Sequence, residues 1–319
     1  MGQGRGRPAR DRIDQDSIRY PVWPRANGGD AMGVQGRRGD GRTVVVTGAS
    51  RGLGFATAVH LHRRGWVVVA AMRTPEAGRK RLAEELGADL DERRLVAVAL
   101  DLEDPRSVDA AVSTIIDEVG VPDAIVHNAG VAGAGAVEEM PSDVVERMFA
   151  TNVFGAVRLT RALLPAMREA GRGRIVVVSS EAAVRGMPAT SAYSSSKAAL
   201  ERWSESLAME VGPFGLGVTV LVTGTFKTDI LELTPSWKDE DGPYVPLHTA
   251  LEAVGDLMRR IAPAPERFPP AVARALDETS VFARHAVGVD AALLLLGHRL
   301  LPERALRAIT TRVLRLPRR

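Results

Sequence analysis

The sequence predicts an α/β fold: a single doubly wound parallel sheet with helices on both faces. Three observations carry that expectation. Six short runs of β-branched and apolar residues recur along the chain, the first opening at Arg42 and the last closing at Val222. Helical patterns separate them, and the connections are long enough for the crossovers that parallel neighbours require. The runs are apolar at nearly every position instead of every second one, as in strands covered on both sides.

The expected elements follow in order. Arg42–Thr47 reads as the first strand, followed by a glycine-rich turn and a helix over Leu53–Arg64. Trp66–Ala71, Leu95–Leu100, Ala124–His127, Arg174–Ser179 and Val218–Val222 read as the other five strands. Helices are expected near 106–118, 142–170 and 192–211. No linker interrupts 42–290, so that span reads as one domain, with a substrate lid over about 226–263.

Composition narrows the function classes. The chain of 319 residues is 45% hydrophobic and 25% charged, enough for a sizeable core. Net charge is only +3 although the pI is about 9.6, and the basic excess sits at the chain ends. Nucleic acid is therefore not an expected partner. With no cysteine, disulfides, thiolate metal sites and a cysteine nucleophile are excluded. His60 and His62 form no HExxH arrangement, and no metal site is expected.

Residues 1–41 are crowded with Arg, Gly, Asp and Pro and show no hydrophobic period. They read as a disordered tail, and Met32 offers an alternative start that would make the first 31 residues an extension. No apolar stretch resembling a signal peptide follows Arg37-Arg38, so the expected compartment is the cytoplasm.

The chemistry begins at the first turn, Thr47-Gly-Ala-Ser-Arg-Gly-Leu-Gly54. Gly48 permits a tight turn, Gly52 lets the backbone approach a phosphate, and Gly54 allows close helix–strand packing. A pyrophosphate would sit at the helix N-terminus, where N–H groups and the helix dipole favour negative charge. At the end of the second strand, NAD-binding sites place an acidic residue. Here Arg73 stands in that region, with Arg51 inside the glycine turn. Two guanidinium groups favour a 2′-phosphate over a free 2′-hydroxyl, so NADP(H) is expected over NAD(H).

Three motifs in this order and spacing resemble the short-chain dehydrogenase/reductase family: the glycine turn at 47–54, Asn128-Ala-Gly130 after the fourth strand, and Tyr193-Ser-Ser-Ser-Lys197. The resemblance covers about 42–290 and implies a Rossmann-type sheet of about seven strands. It implies Asn152, Ser180, Tyr193 and Lys197 as the catalytic group. For the cofactor it implies Ser50 and Leu53 within the turn, and Asp101 and Leu102 beside the adenine. Asn128, Ala129 and Gly130 would form the floor, Tyr193 and Lys197 would add contacts, and Thr228 would hold the nicotinamide carboxamide. Homo-oligomers are expected through the helices at 142–170 and 192–211.

The residue chemistry agrees. Hydride delivery to a carbonyl leaves an alkoxide that needs a proton, and an ordinary tyrosine near pKa 10 gives one poorly at neutral pH. Lys197 lies one helical turn after Tyr193, and its ammonium charge, with that of oxidised nicotinamide, is expected to lower the phenol's pKa. Ser180 would orient the substrate oxygen, and Asn152 would help hold a water leading from Lys197 to solvent.

Two departures from the family pattern stand out. Thr223-Gly224 replaces Pro-Gly after the sixth strand, predicting a looser loop, and Ala183 replaces a common glycine. The lid carries Phe226, Ile230, Leu231, Leu233, Trp237, Tyr244 and Val245. They either line a site for a bulky, lipid-like alcohol or carbonyl or fold onto their own core. Residues 291–319 read as an amphipathic helical extension with Arg304, Arg307, Arg312, Arg315, Arg318 and Arg319. They suit peripheral contact with an anionic membrane, or docking on protein. The alternative to an oxidoreductase is a non-catalytic NADP(H)-sensing protein on the same fold.

Overall fold

The structure, a computed structural model, describes residues 41–228 and 234–313. The expected tail lies outside the described residues apart from Gly41. So do Ile230, Leu231 and Leu233 of the lid and Arg315, Arg318 and Arg319.

Seven strands form one parallel sheet. In chain order the elements are β1 (Thr43–Thr47), α1 (Gly52–Arg63), β2 (Val67–Met72), α2 (Pro75–Leu86), β3 (Leu95–Ala99), α3 (Pro105–Val119) and β4 (Ala124–His127). There follow β5 (Ala134–Gly135), α4 (Ser142–Phe149), a π-helical segment (Ala150–Gly155), α5 (Ala156–Glu169), β6 (Gly173–Val178), α6 (Glu181–Val184), α7 (Ser191–Val211) and β7 (Leu216–Thr223). The chain continues with β8 (Ser236–Trp237), α8 (Val245–Ile261), α9 (Pro269–Leu276), β9 (Phe282–Val287), α10 (Val289–Leu300) and α11 (Glu303–Val313). The main sheet runs β3-β2-β1-β4-β6-β7-β9, while β5 and β8 pair separately.

The alternating side chains of the strands divide the core into two layers. Val45, Val69, Val98, Ile125 and Val177 face α3, α5 and α7, meeting Ile115, Leu159, Leu163 and Leu200. Val44, Val46, Val68, Ala70 and Val126 face the other way, towards Leu61 of α1, Leu82 of α2 and Val272 of α9. Both faces of each central strand are thus covered, which explains their uninterrupted apolar runs.

Three features differ from the sequence-based expectation. The edge strand β9, Phe-Ala-Arg-His-Ala-Val, escapes detection from residue pattern because Arg284 and His285 break the apolar run. An edge strand has one neighbour and tolerates them. The expected helix over 142–170 is divided by the π segment at 150–155, and such segments change which backbone groups are free near functional sites. The start of the loop after β7 is tied down at Gly224 and Thr225. The Gly224 amide bonds the Val287 carbonyl at 2.9 Å, and the Thr225 amide bonds an Asp290 oxygen at 2.6 Å. Two hydrogen bonds from β9 and the start of α10 do the work of the missing proline.

Leu159 and Leu163 are completely buried between the sheet and α3. Leu159→Ala is expected to lower unfolding free energy by about 2–5 kcal/mol, read as a lower denaturant midpoint with unchanged slope.

Candidate active site

A cavity of about 370 Å³ opens along the carboxyl ends of the strands. It lies where the sheet order turns from β1 to β4, and loops leaving neighbouring strands to opposite faces open a crevice there. Its walls run from Gly48–Leu53 through Arg73, Asp101 and Leu102 to Asn128–Gly130, and end at Ser180, Tyr193, Lys197 and Thr228.

The glycine turn is shaped for close approach. Gly48 has φ +67° and Gly52 φ +56°, conformations that favour glycine. A Cβ on Gly54 would collide with the Gly48 carbonyl and the Asn128 amide, so this glycine packs α1 onto the strand ends. Arg51 occupies the N-cap of α1 without a side-chain cap bond, leaving first-turn N–H groups for an anionic ligand. These features fit a dinucleotide pyrophosphate. Arg51 and Arg73 are both exposed on the cavity wall. Arg81 of α2 reaches the Ser50 carbonyl at 3.4 Å, a third guanidinium near the turn that pattern reading did not single out.

The floor is tied to the first strand. The Thr47 hydroxyl accepts the amides of Asn128 and Ala129 at 3.1 and 3.0 Å, and the Asn128 side chain donates to the Thr47 carbonyl at 3.0 Å. Asp101 caps its own turn by accepting the Glu103 amide at 3.0 Å. Leu102 is buried against Gly155 of the π segment while also lining the cavity. Thr228 lies across from Gly52, whose added Cβ would sit 3.6 Å from the threonine Cβ.

Tyr193, Ser180 and Lys197 converge at one end. Ser180 is the N-cap of α6, its hydroxyl accepting the Ala182 amide at 3.2 Å. That hydroxyl also lies beside the Tyr193 phenol and favours its ionised form. The Lys197 ammonium lies 6.0 Å from the centre of the Tyr193 ring and donates to the Val178 carbonyl at 2.9 Å. Burial pushes Lys197 down to about 8, against the charge of Glu201, which favours its protonated form.

The expected lowering of the tyrosine is absent in the chain alone. Burial raises the phenol's pKa, Glu181 adds to the rise, and the Ser180 hydroxyl opposes both. Lys197 alone does not overcome the desolvation of a buried phenolate.

Asn152 sits in the π segment and is almost fully buried. Its amide nitrogen donates to the Val131 carbonyl at 2.9 Å and the Ser196 hydroxyl at 3.0 Å. Its oxygen accepts the Val131 amide at 2.8 Å. The side chain is a strut between the Asn128–Val131 loop and α7.

Two carboxylates near the site were not singled out by pattern. Buried Glu201, one turn beyond Lys197, accepts from Ser179 at 2.6 Å and pairs with Arg284 at 2.7 Å. It joins β9, α7 and the residue preceding Ser180. The i+4 spacing from Lys197 was its only sequence signal. Glu181 lines the cavity directly after Ser180, and an acidic residue beside a strand-end serine was the available signal.

The lid residues divide. Phe226 is packed edge-on against Phe268 with ring centres 5.7 Å apart and also lines the cavity. Trp237 joins Met140, Val144 and Met148 in an apolar cluster that also touches Tyr193. Asp239 and His248 of this segment are held at Glu139, which accepts from His248 at 2.6 Å and from the Asp239 amide at 3.2 Å.

Known proteins agree with this architecture. The profile of the short chain dehydrogenases matches residues 42–239. An uncharacterised oxidoreductase of Bacillus subtilis is 38% identical over 189 residues, covering 59% of this chain and 66% of its own. A 3-ketodihydrosphingosine reductase of Bacteroides thetaiotaomicron is 37% identical over 202 residues, covering 61% of this chain and 70% of its own. The crystal structure of a short-chain dehydrogenase from Streptomyces avermitilis superposes with a TM-score of 0.70 at 34% identity, over 86% of this chain and 96% of that one. The chain belongs to the short-chain dehydrogenase family, oxidoreductases that use a nicotinamide dinucleotide and act on CH–OH groups.

Glu201→Gln removes the charge that supports the Lys197 ammonium. The lysine pKa is then expected to fall further below about 8. Any rate that depends on the ammonium is lost at lower pH, so the alkaline limb of the kcat/KM profile shifts towards acid. An unmoved limb would show that Glu201 does not act through Lys197.

Proposed function

We propose that this chain moves a hydride between NADP(H) and an alcohol or carbonyl carbon of a bulky, lipid-like substrate. The observation that carries the reading is the convergence of Ser180, Tyr193 and Lys197 at one end of a cavity whose other end is the glycine turn and two arginines. A nicotinamide dinucleotide bound along that cavity supplies or takes up the hydride.

The chain's own residues then have distinct tasks. Ser180 holds the substrate oxygen beside the Tyr193 phenol, fixing the reacting carbon in place. The phenol gives its proton to the forming alkoxide, or takes it back in the reverse direction. Lys197 supplies positive charge one turn away. Because burial alone raises the phenol's pKa, this reading needs the added positive charge of oxidised nicotinamide to bring the proton within reach at neutral pH. Asn152 acts as a positioning residue, holding the 128–131 loop against α7. Arg51 and Arg73 would pair with a 2′-phosphate, which supports NADP(H) over NAD(H).

Val131, Ala132 and Phe226 on the cavity wall support an apolar substrate body, as does the similarity to a reductase named for 3-ketodihydrosphingosine. The non-catalytic sensing alternative finds no support in the family match or in these relatives.

Nicotinamide fluorescence and turnover on a carbonyl panel test the reading. NADPH is expected to bind more tightly than NADH, and Arg51→Ala with Arg73→Ala is expected to cut that preference about 10–100-fold. Tyr193→Phe is expected to lower kcat about 10²–10⁴-fold with cofactor binding retained. Binding without turnover on any alcohol or carbonyl would sink the hydride-transfer reading.

We further propose that α10 and α11 rest on an anionic membrane surface. Val289, Leu293, Leu296 and Leu300 form one exposed apolar stripe along α10, and Arg304, Arg307 and Arg312 are exposed on α11. Among the described residues no helix is long and apolar enough to cross a membrane. The full chain is expected to pellet with anionic vesicles, and Leu293→Asp with Leu296→Asp to abolish pelleting. Recovery of the full chain in the supernatant would end this idea.

A further inference from the structure

The cavity contains a carboxylate that hydride transfer does not use. Glu181 begins α6, directly after Ser180, and lines the cavity together with Ser180 and Tyr193. The other acidic wall residues are engaged: Asp101 accepts the Glu103 amide, and Glu103 accepts the Thr151 hydroxyl at 2.6 Å. Among the described residues, the Glu181 carboxylate has neither hydrogen-bond partner nor ion pair. The arginines of the cavity, Arg51 and Arg73, lie at its glycine-turn end, and the Lys197 ammonium donates to the Val178 carbonyl.

A half-buried carboxylate without a partner is unfavourable unless it is neutralised or meets a cation. Burial and the neighbouring charge of Asp290 push Glu181 up to about 7. Asp290 itself is held by the amides of Thr225 and Ala291. The local field therefore favours a positive group arriving from outside the chain. Glu181 shares this wall with Ser180 and Tyr193 and acts electrostatically on the phenol, so it meets substituents at the reacting end of a cavity whose wall also carries Val131, Ala132 and Phe226.

We propose that Glu181 is a specificity residue selecting substrates with a protonated amine one or two carbons from the reacting carbon: amino ketones and amino alcohols with an apolar body. This rests on the hydride-transfer reading above. The carboxylate forms a charge-assisted hydrogen bond with the substrate ammonium, which offsets its own desolvation and orients the neighbouring carbonyl towards Ser180 and Tyr193. No bond is made or broken at Glu181.

The test compares NADPH-dependent reduction of a long-chain α-amino ketone with that of the α-hydroxy ketone and the unsubstituted ketone of equal length. The wild type is expected to show about a 10–100-fold higher kcat/KM for the amino ketone, the size of a charge-assisted hydrogen bond. In Glu181→Gln the ratio between amino and unsubstituted ketone is expected to approach one, mainly through a higher KM for the amine. A wild type without preference for the amine overturns the proposal, and that comparison does not depend on the variant folding. Equal ratios in wild type and a folded Glu181→Gln overturn it as well. In either case, turnover of the unsubstituted ketone leaves the hydride-transfer reading standing. NADPH binding without turnover of any of the three ketones removes both.

Discussion

Between β1 and β4 the strand order of the sheet reverses, and the rest of the site depends on how the chain is held there. The β1 turn leads to α1 on one face, whereas the connection after β4 passes to the other. Thr47 fastens the two strand ends through three hydrogen bonds near 3 Å, two from Asn128 and one from the Ala129 amide. Gly54 brings α1 close enough to touch both. A side chain larger than hydrogen at Gly54 would separate the phosphate-facing helix end from the floor of the cavity. The crevice is thus a consequence of topology, kept narrow by a few short contacts.

A second set of contacts reaches the catalytic end from the far edge of the sheet. Glu201 links Arg284 of β9 to Ser179, which follows β6 and precedes Ser180. Asp290, at the start of α10, holds the loop after β7 through the Thr225 amide. The C-terminal elements are therefore joined to the site by buried or half-buried carboxylates. These carboxylates also shape the electrostatics: Glu201 favours the Lys197 ammonium, while Asp290 disfavours ionisation of Glu181. Both residues thus feel the negative potential of a neighbouring carboxylate, which favours the charged form of the lysine and disfavours that of the glutamate.

The π segment at 150–155 shows how local irregularity serves a site. It carries Asn152 inward, where the side chain joins the 128–131 loop to Ser196 on α7, the helix that bears Tyr193 and Lys197. Its last residue, Gly155, receives Leu102 so closely that a Cβ there would clash. The same segment thereby braces α7 and one cavity wall.

By itself the sequence determined what local chemistry dictates. The buried strands β1, β2, β3, β4, β6 and β7 were legible because strands covered on both faces need apolar side chains throughout. The glycine turn was legible because strand, turn and helix coincide, and Tyr193 with Lys197 because helical spacing places them one turn apart. Tertiary structure alone decided the rest. Edge strand β9 carries Arg284 and His285, which no strand pattern predicts and a single-neighbour position permits. The pinning of Thr223–Thr225 comes from Asp290, 65 residues on from Thr225. That Phe226 packs on Phe268 while also lining the cavity depended on distant contacts, and the ionisation of Tyr193, Lys197 and Glu181 on burial. Desolvation and long-range contacts are properties of the folded surroundings, and no window of sequence contains them.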